Sequence, residues 1–191
     1  MTDVQQRVGY GDGKEALLRA TVQVVSRKGL RGLTFRAVAE TAGVNNTLIA
    51  HHFRNRDGLL AATLEWSMER SLSAADLGKY QRSSEEFREA LVSNVMTDPD
   101  LEIFQYEMIL EATRREELRP AVQELYRRYV KAMVPGLVTL AASQSEALGR
   151  ALFAALDGLM LQFYSHAITR DQLIEALGAL EAALTLNAAA E

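Results

Sequence analysis

Three possible helix starts lie close together between Thr34 and Arg56, and this spacing constrains the fold more than any other feature of the chain. Thr34 precedes the sequence FRAVAETA, Asn45 precedes NTLIAHH, and Asn55 precedes RDGLL. Each of these side chains can accept a hydrogen bond from a backbone amide in the first turn of a helix. Gly43 closes the first of the three segments, because glycine tolerates the backbone of a tight turn. The stretch predicts two short helices and then a long helix that begins at Arg56.

The rest of the chain also has the apolar periodicity of α-helices. Residues 14–28 carry a broad apolar stripe that ends at Gly29, and further helices are predicted at 85–97, 100–118, 120–134, 144–167 and 170–186. The boundaries are marked by Asp98-Pro99, Arg119-Pro120 and Pro135-Gly136, since proline and glycine interrupt helices. No stretch shows the sustained alternation of a β-strand. We therefore expect an all-α protein.

Charge divides the chain into two unequal parts. Residues 1–65 contain nine Lys and Arg against six Asp and Glu, a net charge of +3, whereas residues 66–191 contain twelve against nineteen, a net charge of −7. Such asymmetry is typical of a chain whose basic part binds nucleic acid. We predict a flexible arm at 1–13, with Arg7 as a candidate minor-groove contact, and a helical domain at 14–60 whose connecting helix runs to about residue 72. A larger helical domain is predicted at 61–191.

Two absences narrow the possible functions. The chain has no cysteine, so disulfides, thiolate metal sites and thiol nucleophiles are excluded. Its first residues lack the basic and apolar regions of a secretory signal, and no run of about 18 uncharged apolar residues is present to cross a membrane. We expect a cytoplasmic protein that needs no cofactor.

Residues 35–54 have the pattern of a helix-turn-helix. Val38, Ala42, Val44 and Ile49 can form the buried seam between two crossed helices. Ala39 is small enough to let the second helix approach the first closely. This pattern, with caps on both sides, predicts a three-helix DNA-binding domain at the N-terminal end of the chain.

The outer side of the second short helix is suited to reading base edges in the major groove of DNA. Asparagine can pair with adenine, and the methyl group of threonine or alanine can meet the methyl group of thymine. The predicted base-reading residues, with the residue that begins their helix, are Asn45, Asn46, Thr47, Ala50 and His51. The flanking residues are predicted phosphate contacts, and the helix start at Asn55 adds backbone amides to an anion site: Thr34, Arg36, His52, Arg54 and Arg56.

This segment has two other interpretations. His51 and His52 could bind a metal ion, but adjacent residues on a helix diverge by about 100 degrees, whereas ligands on a helix need a spacing of three or four. The segment could also be a solvated helical hairpin that reads no sequence. Phe53 and Leu48 are predicted to be core residues rather than groups that stack on bases.

Residues 14–64 resemble the DNA-binding domain of the tetracycline-repressor (TetR) family. The resemblance is carried by KGLRGLTFRAVAETAGV, by a recognition helix that ends in HHF, and by NRDGLL at the start of the connecting helix. It implies a homodimeric transcriptional regulator, usually a repressor that a small molecule releases from DNA. It also implies that the remaining helices bind the effector and form the dimer. In such proteins the effector shifts the connecting helix and changes the separation of the two recognition helices.

The chain departs from the family pattern within the recognition helix. Family members commonly carry a tyrosine where this chain has Ala50 and a small residue where it has Thr47. The usual aromatic phosphate contact is therefore absent, and the operator sequence of relatives does not transfer to this chain.

Two apolar seams near the C-terminus predict a dimer interface. Two antiparallel helices from each chain would form a four-helix bundle, although an intramolecular core is the alternative. The predicted interface residues are Leu148, Leu152, Ala155 and Leu159 on one helix and Leu173, Leu177, Leu180 and Leu184 on the next.

Aromatic and methionine side chains are candidates for an effector site, because they line adaptable cavities, although plain core is the alternative for each of them. Glu107 and Glu111 lie one turn apart and could meet a cationic ligand, with a salt-bridged surface as the alternative. The predicted ligand-binding residues are Trp66, Phe104, Glu107, Met108, Tyr126, Met160 and Phe163.

The leading hypothesis is a dimeric DNA-binding regulator with a small-molecule effector. A regulator without an effector is the second hypothesis. The third is a helical enzyme that uses His166, Ser165 or the pair Glu107 and Glu111, but no spacing places a nucleophile, a base and an orienting group together. We therefore expect that the protein is not an enzyme.

Overall fold

The computed structural model describes residues 10–74, 92–93, 96–141 and 145–188. The helices whose bounds are defined within these ranges are α1 (Tyr10–Lys28), α2 (Phe35–Ala42), α3 (Asn46–His52), α4 (Arg56–Ala74), α5 (Pro99–Ala112), α6 (Arg119–Ala141), α7 (Glu146–Tyr164) and α8 (Arg170–Ala188). Leu30–Gly32 and Glu116–Leu118 form single 3-10 turns. The described residues contain no β-strand, so the all-α prediction is confirmed. The arm residue Arg7 and most of the predicted helix 85–97 lie outside the described residues.

The predicted caps begin α2, α3 and α4. The Thr34 hydroxyl accepts a hydrogen bond from the Ala37 amide at 3.0 Å. Asn45 Oδ1 accepts one from the Thr47 amide, also at 3.0 Å, and Asn55 caps the first turn of α4 in the same way. The predicted starts of these three helices are confirmed.

Gly43 ends α2 as predicted. Its backbone is left-handed, with φ 66° and ψ 29°, and its amide bonds back to the last turn of the helix. A residue with a Cβ would be strained in this conformation, although no other atom lies within 4 Å of the place a Cβ would occupy. Glycine at this position therefore serves the backbone of the turn.

The first helix begins earlier than predicted. Residues from Tyr10 to Gly13 belong to α1 rather than to a flexible arm. Gly13 is buried, and a Cβ on it would lie only 3.1 Å from Leu48 Cδ2 of α3. The glycine that indicated flexibility in the sequence instead allows α1 and α3 to approach each other closely.

The predicted helix 100–118 is wrong at its C-terminal end. α5 stops at Ala112, and a turn and the second 3-10 segment follow it. Arg119 Nε donates a hydrogen bond to the Ala112 carbonyl at 3.3 Å, and the Thr113 hydroxyl donates one to the Leu110 carbonyl at 2.7 Å. These side chains satisfy carbonyl groups that would otherwise require a further helical turn.

The predicted stop at Pro135-Gly136 is also wrong, because α6 continues through both residues to Ala141. Proline has no amide donor and therefore removes one hydrogen bond from a helix, but its own φ is compatible with helical backbone. Proline within a helix can kink it without ending it.

The chain divides into two compact units, and the division differs from the predicted domain boundary. The first unit contains the residues up to Ser67 together with Asp100–Ala121, and the second contains Met68–Pro99 and Val122–Glu191. α5 and the turn after it therefore belong with the helix-turn-helix, although the sequence analysis placed them in the second domain. The helices α4 and α6 each begin in the first unit and continue into the second.

The first unit has an apolar core to which each of its helices contributes. The side chains that are fully buried there include Leu17, Val25, Val38, Ile49, Leu59, Leu60, Leu64, Phe104, Met108 and Leu118. Thr21 and Thr63 are also buried, and each hydroxyl donates a hydrogen bond to a carbonyl of its own helix. Gln105 Nε2 donates to the Ser67 hydroxyl at 3.2 Å, which joins α5 to α4 inside this core.

The second unit is built around α7 and α8, which pack against each other. Three of the leucines predicted to lie in a dimer interface are buried within the chain, namely Leu152, Leu173 and Leu177. Since burial within the chain already uses these side chains, a partner would have to meet other residues. The remaining predicted interface residues are half-buried: Leu148, Ala155, Leu159, Leu180 and Leu184.

Candidate nucleic-acid interface

α3 presents a polar face that is open to solvent. Asn46, Thr47, Ala50 and His51 are exposed, whereas Ile49 is fully buried. The exposed residues lie at spacings of one and four, which places them on one side of the helix. This arrangement is the one that the predicted base-reading residues require, and their contacts with DNA stay a prediction.

The start of α3 is fixed by a compact group of hydrogen bonds. Asn45 Oδ1 accepts from both the amide and the hydroxyl of Thr47, each at 3.0 Å. The side-chain oxygen of Asn45 is therefore engaged within the protein. Of the two adjacent asparagines, Asn46 is the one whose side chain makes no hydrogen bond to any residue in the described ranges.

The predicted phosphate contacts differ in how strongly the protein engages them. The exposed Arg54 makes no hydrogen bond or ion pair with a residue in the described parts of the chain. Arg36 pairs with Glu40 at 2.7 Å on the open surface of α2. Arg56 donates a hydrogen bond to the carbonyl of Leu30, so this arginine connects the start of α4 to the turn after α1.

The two histidines at the end of α3 have different surroundings. The rings of His51 and His52 meet edge to face, with 5.3 Å between their centroids. His51 is exposed and His52 is half-buried. Burial lowers the pKa of His52, and the neighbouring His51 and Lys14 lower it further. Its partial burial favours a packing role for His52, whereas His51 is accessible to a nucleic acid.

Phe53 behaves as a core residue, whereas Leu48 is a partly buried packing residue at the edge of the core. Phe53 is 4% exposed, and Leu48 is half-buried against Gly13 of α1. Their predicted role in packing is confirmed.

The residues predicted to bind an effector are distributed between the two units. Phe104 and Met108 are fully buried in the core of the first unit. Trp66 also lies in this unit, where the guanidinium carbon of Arg19 is 5.6 Å from its ring centroid. The Glu107 carboxylate lies beside the backbone of Gly29. All four therefore lie in the first unit, and their contact with an effector stays a prediction.

The second unit contains an aromatic and acidic cluster that the sequence analysis recognised only in part. The Tyr126 hydroxyl on α6 donates a hydrogen bond to Asp157 Oδ2 on α7 at 3.2 Å. Phe153 meets the Tyr126 ring edge to face at 5.9 Å and stacks on Tyr129 at 5.0 Å. We call these four residues the aromatic cluster. Met160 is buried and Phe163 is half-buried in the same unit.

The protonation of Tyr126 is set by its surroundings. Burial raises the pKa of Tyr126 to about 12, and the charge of Asp157 and the hydrogen bond to it act in the same direction. The phenol therefore stays neutral and donates to the carboxylate. The spacing of each pair along its helix was visible in the sequence, but the sequence did not show that these two helix faces meet.

Other kinds of site find no support in the described ranges. No group of three or more His, Asp or Glu residues there is arranged to hold a metal ion. Among the helices of the same ranges, none has both the length and the apolar character required to cross a membrane.

Two family models match the chain. Residues 17–63 match bacterial regulatory proteins of the tetR family, and residues 82–186 match the tetracyclin repressor-like C-terminal domain. The first match contains the helix-turn-helix, and the second covers more than half of the chain.

Similar proteins are transcriptional regulators. The HTH-type transcriptional regulator BetI of Escherichia coli O139:H28 is 25% identical over 158 residues, which cover 78% of this chain and 80% of that protein. BetI of Pseudomonas fluorescens Pf-5 is 38% identical over 55 residues, which cover 29% of this chain and 28% of that protein. The chain therefore spans less than a third of the length of this second relative. The alternative of a helical enzyme has no support among these relatives.

Solved structures share the fold. A TetR-family regulator from Rhodococcus sp. superimposes with a TM-score of 0.76 at 24% identity, covering 90% of this chain and 98% of that one. The multidrug binding protein EbrR, complexed with imidazole, gives a TM-score of 0.65 at 28% identity, with coverage of 87% and 93%. A regulator from Saccharomonospora viridis in complex with choline gives 0.72 at 17% identity, with coverage of 88% and 95%.

The adjacent asparagines should respond differently to substitution. Asn45→Ala removes the cap of α3 and should lower the free energy of unfolding by about 1 kcal/mol. Asn46→Ala, at an exposed position without such a bond, should change it by less than about 0.5 kcal/mol. Urea unfolding followed by circular dichroism measures both values. Equal stabilities would show that the Asn45 side chain does not hold the start of α3.

Proposed function

Because this chain belongs to the tetracycline-repressor (TetR) family of bacterial regulatory proteins, we propose that it is a homodimeric repressor that leaves its operator when a small molecule binds. The observation that carries the proposal is the exposed polar face of α3. The Asn45 cap fixes the N-terminus of this helix, and buried Ile49 and Phe53 anchor it in the core. The cytoplasm, where bacterial DNA is accessible, is the compartment in which such a protein acts.

The contacts of the described residues support a division between base reading and phosphate binding. Asn46, Thr47 and His51 lie on the open side of α3 and are proposed to meet base edges. Arg54 is exposed at the end of the same helix and is proposed to meet a phosphate. Thr34 and Arg36 lie at the exposed start of α2, where backbone amides also favour an anion.

We propose that the dimer forms through an exposed face of α7 rather than through the predicted leucine seams. Ala147, Ala151 and Ala154 are exposed there, Gly158 has open space beside it, and Leu161 is 50% exposed. The spacings of four, three, four and three place these five residues on one stripe, which we call the α7 face. Small residues allow two helices to approach closely, and a two-fold axis would place this face against its own copy.

We propose that the effector is an organic cation that binds at the aromatic cluster. Aromatic rings attract cations, and the Asp157 carboxylate supplies a negative charge at the Tyr126 hydroxyl. Two proteins of the same fold are complexed with choline and with imidazole, which are small nitrogen-containing molecules. These complexes support choline and imidazole as the first probes for this chain.

Selection of duplexes from a random-sequence pool, followed by fluorescence anisotropy at several salt concentrations, tests the DNA-binding proposal. We expect a palindromic site whose half-sites lie about 34 Å apart. Arg54→Ala should weaken binding to all duplexes and reduce the salt slope by about 1, whereas Asn46→Ala or His51→Ala should change the preferred sequence. Arg114→Ala, which removes an equal charge at an exposed position of the first unit, is the control. A pool that the wild-type protein does not enrich would exclude sequence reading by α3.

Substitution on the α7 face tests the dimer. Ala154→Arg places a long charged side chain at the centre of the face and should raise the dimer dissociation constant by at least about 100-fold. Ala61→Arg makes the same change at an exposed position of α4 and should leave the dimer intact. Sedimentation equilibrium measures both dissociation constants. A dimer that survives Ala154→Arg would have to use a different surface.

Thermal unfolding in the presence of choline or imidazole tests the effector proposal. A bound probe at 100 times its dissociation constant should stabilise the protein by about 2.7 kcal/mol and should lower its affinity for the selected duplex. Asp157→Asn should abolish the shift, whereas Asp171→Asn, an exposed aspartate on α8, should retain it. Stability and DNA affinity that do not change with either probe would argue for a regulator without an organic-cation effector.

A further inference from the structure

Arg115 lies far from the helix-turn-helix in sequence. In the structure it contacts the first turn of α4, the helix that follows the helix-turn-helix. The guanidinium Nη2 is 2.6 Å from Asp57 Oδ1 in the first turn of α4 and 2.7 Å from Glu117 Oε1 in the turn after α5. The side chain of Arg115 is only 22% exposed. Such charge-assisted bonds are short and directional, so the guanidinium determines where the first turn of α4 lies.

The first turn of α4 in turn determines the position of the recognition helix. α3 ends at His52 and α4 begins at Arg56, so only three residues connect them. Both ends of this connection are bonded, because the Phe53 amide donates to the Ile49 carbonyl at 2.8 Å and Asn55 caps α4. The short connection between the two helices cannot absorb a displacement of the first turn of α4. Such a displacement must therefore move α3.

Arg56 extends this arrangement to the turn that precedes α2. Its guanidinium donates to the Leu30 carbonyl in the first 3-10 turn. The adjacent residues 56 and 57 thus connect the start of α4 to two other segments. Residue 56 bonds to Leu30 in the segment before α2, and residue 57 pairs with Arg115 in the turn after α5.

The segment that carries Arg115 is itself firmly placed. At its beginning, Asp100 Oδ1 accepts a hydrogen bond from the Ser26 hydroxyl at 2.9 Å, and Oδ2 lies 3.5 Å from Arg27 at the end of α1. At its end, Leu118 is 1% exposed and Arg119 closes the last turn of α5. The segment therefore provides a rigid support for Arg115.

We propose that Arg115 is a positioning residue for DNA binding, which holds the first turn of α4 through Asp57 and thereby sets the orientation of α3. The inference rests on the DNA-binding part of the proposed function. It adds a residue that follows the recognition helix by more than sixty positions and belongs to neither the base-reading nor the phosphate-binding set.

The prediction is that Arg115→Met lowers the affinity for the selected duplex about tenfold without changing the salt slope. A residue that contacts phosphate changes both quantities, whereas a residue that orients α3 changes the affinity alone. Arg115→Lys, which retains the charge but offers a single point of contact, should lose less. Arg114→Met removes a neighbouring charge whose partner is Glu111 in the last turn of α5, and should match the wild-type protein.

A double-mutant cycle separates the effect of the interaction between Arg115 and Asp57 on DNA affinity from other effects of each substitution. Asp57→Asn should weaken binding about as much as Arg115→Met, and the double variant should be no weaker than either, because both substitutions break one interaction. Additive losses of affinity would overturn the proposal. So would an Arg115→Met variant that is fully folded at the assay temperature and binds with wild-type affinity, since the ion pair would then only add stability.

Hydrogen exchange of the full-length protein without DNA gives a second measurement. The amides of Gly58 and Leu59 bond to Asn55, and their exchange should accelerate at least about tenfold in Arg115→Met but not in Arg114→Met. Equal exchange in the two variants would show that Arg115 does not hold this turn. A wild-type protein that selects no duplex would instead contradict the proposed function, and the exchange measurement would still decide whether Arg115 fixes α4.

Discussion

The capping of three successive helices by Thr34, Asn45 and Asn55 is the constraint on which the first unit depends. Each helix start exposes amide donors that have no partner within the helix. α3 has only seven residues, so a single cap bond is a large part of what defines it. The caps therefore decide where each short helix begins, and the start of α3 decides which of its side chains face outward. Ile49 and Phe53 then anchor the opposite side of the helix in the core.

Structural roles and the recognition roles proposed above alternate between neighbours along this segment. The side-chain oxygen of Asn45 accepts hydrogen bonds from Thr47, whereas the side chain of Asn46 makes no hydrogen bond to any described residue. His51 is open to solvent and His52 is half-buried. A seven-residue helix offers few positions. Adjacent residues of the same type therefore divide between stabilising α3 and presenting its polar face.

The sequence was sufficient for features that depend on local chemistry. The three caps, the glycine turn after α2 and the burial of Phe53 follow from residues only a few positions apart. Features that depend on distant contacts could not be predicted: Asp57 meets Arg115 across 58 positions, so the contact between α4 and the segment after α5 does not show in the sequence. The packing role of Gly13 does not show in the sequence, because Leu48, beside which it lies, is far along the chain. Periodicity identified the leucine seams of α7 and α8 but could not show that burial within the chain would use Leu152, Leu173 and Leu177.

The single tryptophan of the chain gives its two units different optical properties. Trp66 lies in the first unit, with the guanidinium group of Arg19 against its ring, and no second indole exists to add a signal from α7 or α8. Its emission during denaturation therefore follows the surroundings of one unit, whereas far-ultraviolet circular dichroism averages over every helix. If the two signals gave the same transition midpoint, the units would unfold as one cooperative body. If the midpoints differed, the gap between them would measure how independently each unit folds.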